Sequence, residues 1–144
     1  MRTVPRSRTN PQFNFDLLPD VLAEWQIGYE RIGELGGLRG RSKTVPPEVN
    51  AFWENQSFHN YADYALSDEF EVGLARLVGV AAQRRIVIMC AEAVWWRCHR
   101  RIISDYILDR GWAVVHLMGE GREEPAKMTP SAREQDGKLV YPAH

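Results

Sequence analysis

Both cysteines of the chain and two of its four histidines fall between residues 84 and 118, in RRIVIMCAEAVWWRCHRRIISDYILDRGWAVVHLM. A thiolate is the strongest nucleophile among ordinary side chains, and it works with groups that move protons. Cys90, Glu92 and His116 are therefore the candidate catalytic set, with Cys90 as nucleophile and Glu92 or His116 as proton carrier. Near the start of the chain, RTVPRSRTNPQFN places arginines among prolines and small polar residues, the composition of a loop. Arginines in such a loop can clamp phosphate or carboxylate through paired hydrogen bonds. Arg6, Ser7 and Arg8, joined by Arg39, His99 and Arg100, are the candidate ligand-binding residues.

The elements that must position these groups can be read from hydrophobic pattern. Ile86-Val87-Ile88-Met89-Cys90 is continuously apolar and mostly β-branched, as in a strand buried on both faces. Helical periodicity runs from Glu92 to Arg110, and Gly111 is a stop signal. Trp112 to Met118 reads as a second strand. Strand, helix and strand predict a right-handed βαβ unit with a parallel pair. Cys90 would then sit at the carboxyl edge of the sheet beside a helix N-terminus, where ligands of open α/β sheets bind. That terminus would lower a thiol pKa and attract anions, and His116 would lie near the same edge.

On a helical wheel, Trp95, Trp96, His99, Ile102, Ile103, Tyr106 and Ile107 fall within about 80° of Glu92. Two ionisable groups thus point to the packed side, where a charge is costly unless paired. Their spacing, about 10 Å along the axis, keeps them from touching. By the same reasoning a regular helix holds Cys98 about 12 Å from its start and at another angle from His99. That argues against a disulfide with Cys90 and against one ion collecting Cys90, Cys98, His99 and His116. No metal and no cofactor is expected, and Cys98 reads as packing.

Elsewhere, Asp16 to Trp25 fits a short helix with Asp16 as N-cap and Pro19 in its first turn. Residues 27–32 alternate as a strand would. The glycines of Leu35-Gly36-Gly37-Leu38-Arg39-Gly40 permit close ligand approach, but neither a P-loop nor a dinucleotide fingerprint is present. Pro46 starts a short helix to about Asn55, and Phe58 to Leu66 forms another with Tyr61 and Tyr64 inward. His59 is expected at the surface without a partner. Asp68 caps a helix carrying Phe70, Val72, Leu74, Leu77 and Val78. Residues 119–144 read as loop, with a short strand at Leu139-Val140-Tyr141.

Several of these stretches carry a family resemblance. The core C-x-E-x5-C-H-R, here Cys90, Glu92, Cys98, His99 and Arg100, with His116 following, resembles the domain-of-unknown-function 488 family. So do Pro5-Arg6-Ser7-Arg8 with Pro11 and Phe13-Asn14, then Leu35-Gly36-Gly37-Leu38-Arg39, and Phe58-His59-Asn60-Tyr61-Ala62-Asp63-Tyr64. The resemblance implies an α/β fold and a set of shared residues, but no agreed reaction. It also implies that the Arg6–Arg8 loop follows a strand at the sheet edge. Members usually open with a strand, a helix and a second strand ending in Asp-Val-Arg. Here Met1 stands immediately before that arginine, so the domain is expected to be shortened at its N-terminus, through a late start or as a shortened member.

The expected fold is thus a single α/β domain with a mostly parallel sheet flanked by helices, its core within residues 2–118 and a loop-rich segment at 119–144. The 144 residues suffice for a real core, and 44% hydrophobic with 26% charged residues is ordinary for a globular protein. A net charge of −1 supplies no field that recruits nucleic acid or membrane. No apolar run reaches the length of a membrane span and no secretory signal opens the chain, so a cytoplasmic location is expected.

Two functional readings stand side by side. In the first, a cysteine-dependent enzyme binds a small anionic or nucleotide-like ligand at the sheet edge and acts on it through Cys90. In the second, the arginine-rich loop makes a non-catalytic nucleotide or nucleic-acid binding module, with Trp95 or Tyr61 available for stacking. A phosphatase-type loop is a poor match, because Cys90 and Arg97 stand as C-x6-R with two tryptophans and no glycine between them. A rhodanese-like sulfur carrier fails for the same lack of a loop.

Overall fold

The computed structural model describes residues 16–90 and 97–143. Among the described residues four helices carry the architecture: α1 (Leu18–Ala23), α2 (Gln56–Tyr64), α3 (Asp68–Ala81) and α4 (Arg100–Asp109). Short 3-10 turns occupy Gly33–Leu35 and Pro47–Asn50. The strands are three residues each: β1 (Val115–Leu117), β2 (Glu123–Pro125), β3 (Arg133–Gln135) and β4 (Lys138–Val140).

Local chemistry explains the helix ends. The Asn55 side chain accepts hydrogen bonds from the Ser57 and Phe58 amides, starting α2. Ser67 caps α3 by accepting from the Phe70 amide, and Asp68, Glu69 and Glu71 place negative charge at the positive end of the helix dipole. Gly111 follows α4 at φ +87°, the left-handed conformation that ends a helix. In α1, Leu17 rather than Asp16 holds the N-cap position, with Pro19 in the first turn as expected.

The core gathers Leu35, Trp53, Tyr61, Phe70, Leu74, Ile102, Ile103, Tyr106, Leu139 and Tyr141. Tyr61 and Tyr64 stitch α2 to the 3-10 turn by donating to the carbonyls of Leu35 and Glu34. The backbone of α3 approaches that turn closely at Gly73, where an added Cβ would stand 2.7 Å from Cβ of Glu34. The C-terminal segment is pinned to α4 by polar bonds. Asp105 accepts from the Thr129 amide and the Tyr141 hydroxyl, both at 2.9 Å, and the Tyr106 hydroxyl accepts from the Leu139 amide at 3.1 Å. Buried Asn50 donates to Asp63 and accepts from the Tyr141 amide, so the C-terminal segment is also tied to the 3-10 turn–α2 region.

The expected parallel sheet is overturned. The described strands form two separate antiparallel hairpins, β1 with β2 and β3 with β4. Val115 pairs with Pro125 rather than with the 86–90 run, and the hairpin turns through Gly119 and Gly121, both at positive φ. Residues 85–90 form no ladder among the described residues. Only alternate positions of that run face inward, since Ile86 and Ile88 pack on the core while Val87 is 73% and Met89 47% exposed. The run has the composition of a two-faced strand, but a strand exists only through its ladder. Residues 27–32 also form no strand, and the stretch after Pro46 makes a 3-10 turn rather than a helix to Asn55.

A second correction concerns the helix itself. Residues 97–99 precede α4, which begins at Arg100, so Cys98 and His99 are not part of a regular helix starting at Glu92. His59, expected without a partner, faces Asp63 one turn on, with Nε2 3.5 Å from its carboxylate.

Candidate functional site

The turn ahead of α4 brings together what the helical reading had kept apart. One ligand atom from each of Cys90, Cys98 and His99 lies within 4.8 Å of the other two. Cys90 is half-buried, while Cys98 is buried. The Cys98 Sγ stands 3.5 Å from Nδ1 of His99. It also accepts from the backbone amide and from Nε of Arg100, each at 3.4 Å.

These contacts set the protonation of the group. The hydrogen bond to Cys90, and then burial, push the Cys98 thiol well above its ordinary value, against the opposing N–H donors of Arg100. Cys98 is therefore held as the neutral thiol. Burial lowers His99 to about 4, so its imidazole is neutral at physiological pH. Its ring packs 4.9 Å from that of Tyr61, and its Nε2 is buried with no hydrogen-bond partner among the described residues. His99 can enter this position because residue 37 is glycine: a Cβ there would lie 2.4 Å from Nδ1.

Arg100 joins the cluster to an open groove of about 880 Å³. Its apolar lining includes Leu77, Ile86, Ile88, Ile107 and Trp112, and its polar lining holds Arg85, Arg100, Ser104, His116 and the carboxylate of Glu123. A large apolar hollow with a few polar groups is the usual form of a small-molecule site. His116 is buried in β1 opposite Glu124, and burial holds its pKa below the ordinary imidazole value, with Glu124 pulling the other way. It lines the groove but is not one of the three clustered side chains.

The chain agrees over residues 1–107 with the family model described as domain of unknown function DUF488. The chain belongs to the DUF488 family. The match covers most of the chain, and within it lie Cys90, Cys98, His99 and Arg100, while His116 and both hairpins lie beyond it. Neither the curated proteins nor the solved structures contain a match to this DUF488 chain.

The remaining candidates divide. The Arg39 guanidinium donates to the carbonyls of Gly36 and Gly33 at 3.0 and 2.8 Å and stands 3.8 Å from the Tyr64 ring, locking the 33–39 segment onto α2. Arg6, Ser7, Arg8 and Glu92 lie outside the described residues. The closeness of Cys98 to Cys90 was not expected, because the continuous apolar period across Glu92–Arg110 implied a helix that turned Cys98 away. The adjacent Cys98-His99 pair was the available signal. Among the described residues no helix is long and apolar enough to cross a membrane.

Proposed function

We propose that this chain binds a small anionic or nucleotide-like ligand in the groove beside Cys90, Cys98 and His99, and that the Cys90 sulfur takes part in its chemistry. The observation that carries this reading is the convergence of the three side chains within 4.8 Å, next to a groove that Arg100 lines. Arg85 and Arg100 supply positive charge for an anionic group, and the apolar lining suits a ring or base. Cys98 is a neutral thiol beside the Cys90 sulfur, and His99 a neutral imidazole within 4.8 Å of both.

The alternative of a nucleic-acid module draws less support. Arg39 is engaged with two carbonyls and a tyrosine ring, and Arg101 sits 4.9 Å from the Trp53 ring, so these cations serve the fold. The test is iodoacetamide alkylation of Cys90 in the Cys98→Ser protein, with inorganic pyrophosphate as the probe anion. The expected result is alkylation that pyrophosphate slows and that Arg100→Gln makes insensitive to it. Alkylation indifferent to pyrophosphate would overturn the anion-binding reading.

A further inference from the structure

We infer that Cys90, Cys98 and His99 form a site for one divalent transition-metal ion of the zinc class, held by two thiolates and one imidazole with a fourth position open. The inference shares three side chains with the reading above but does not depend on its anionic ligand.

The geometry is close to a closed coordination shell. Zinc–sulfur bonds of about 2.3 Å and zinc–nitrogen bonds of about 2.0 Å at tetrahedral angles set sulfur and nitrogen roughly 3.5 Å apart. Cys98 Sγ and His99 Nδ1 already stand 3.5 Å apart. All three ligand atoms lie within 4.8 Å of one another, about an ångström from closure. The objection raised by a regular helix disappears, because Cys98 and His99 lie in the turn before α4.

The chemistry of the donors selects the ion. Two sulfurs and one imidazole favour borderline-soft cations over magnesium or calcium, which take oxygen ligands. Each thiol gives up its proton on coordination, so binding releases up to two protons and tightens as pH rises. Gly37 completes the design by leaving room for the His99 ring. With Nδ1 as ligand, the ring proton sits on Nε2. Three protein ligands leave a position for water or for an exogenous group, as in catalytic rather than structural zinc sites.

The experiment is titration of the reduced, metal-free full chain with cobalt(II) alone, followed in the near-ultraviolet and visible. The expected result is saturation at one equivalent, with a thiolate-to-cobalt charge-transfer band and tetrahedral ligand-field bands that zinc(II) abolishes by displacement. Cys90→Ser and Cys98→Ser should each weaken binding by more than about 100-fold while leaving the far-ultraviolet circular dichroism unchanged. Gly37→Ala, which alters no ligand atom, should weaken it as well. Absence of the charge-transfer band in the native protein, or its persistence in Cys90→Ser, would overturn the assignment. A cobalt site with no pyrophosphate effect on alkylation would sink the anion reading and leave this one standing. Pyrophosphate protection without cobalt binding would do the reverse.

Discussion

The backbone of Gly37 lies directly against the imidazole of His99, so close that a Cβ at residue 37 would meet Nδ1 at 2.4 Å and Cε1 at 2.6 Å. A loop distant in sequence therefore decides whether His99 can stand beside the two thiols. The constraint is one of space, since Gly37 is not among the residues with positive φ.

Gly37→Ala should accordingly displace the His99 ring and cost about 1–3 kcal/mol, the usual range for overpacking a close contact. Gly40→Ala in the same segment has open space around its Cβ and should stay within about 0.5 kcal/mol of the parent. Urea unfolding of the two variants, with the His99 imidazole followed by NMR, checks both expectations. Equal stability and an unmoved ring in Gly37→Ala would remove the packing argument.

Acid should destabilise the metal-free protein through its buried neutral imidazoles. The folded value of His99 is lowered to about 4, and His116 is shifted in the same direction, in both cases first by burial. A depressed value means that the folded state resists the proton, so this stabilisation is complete above the unfolded value of about 6.5 and is withdrawn as pH falls toward the folded value. For His99 alone the full withdrawal is about 3 kcal/mol. Asp105 acts with the opposite sign, because burial raises its carboxyl and the stabilisation is lost as pH rises through the folded value. Urea unfolding between pH 7 and 4 should show a decline that His99→Gln flattens. An unchanged slope in that variant would show that another group carries the acid sensitivity.

How much of this was legible in the sequence follows from which interactions are local. The inward Tyr61 and the stop at Gly111 are written within a few residues and were read, whereas the equally local caps were not: Asn55 was expected to end a helix from Pro46, and Asp68 rather than Ser67 to cap α3. The 86–90 run and Val115–Leu117 both have strand composition, yet pairing is decided by partners far along the chain or across a tight turn. The glycines at 119 and 121 were the clue to an antiparallel hairpin. His59 and Asp63 are four apart on one helix, a spacing that predicts contact once α2 is accepted. Cys90 was singled out for its place after an apolar run, while Cys98, which lies beside it in space, was read as packing. The periodicity of the apolar positions continues through Trp95, Trp96 and Ile102 whether or not the backbone before Arg100 is helical, so the pattern alone could not reveal the turn.

The placement of the Cys90 and Cys98 sulfurs within 4.8 Å of one another is the claim on which the site rests. Phenylarsine oxide, whose arsenic bridges two neighbouring sulfurs, tests it most directly on the native, reduced, metal-free chain. The account predicts a single adduct that shields both cysteines from iodoacetamide and does not form in Cys90→Ser or Cys98→Ser. Alkylation of both cysteines at unchanged rates in the presence of the arsenical would contradict it.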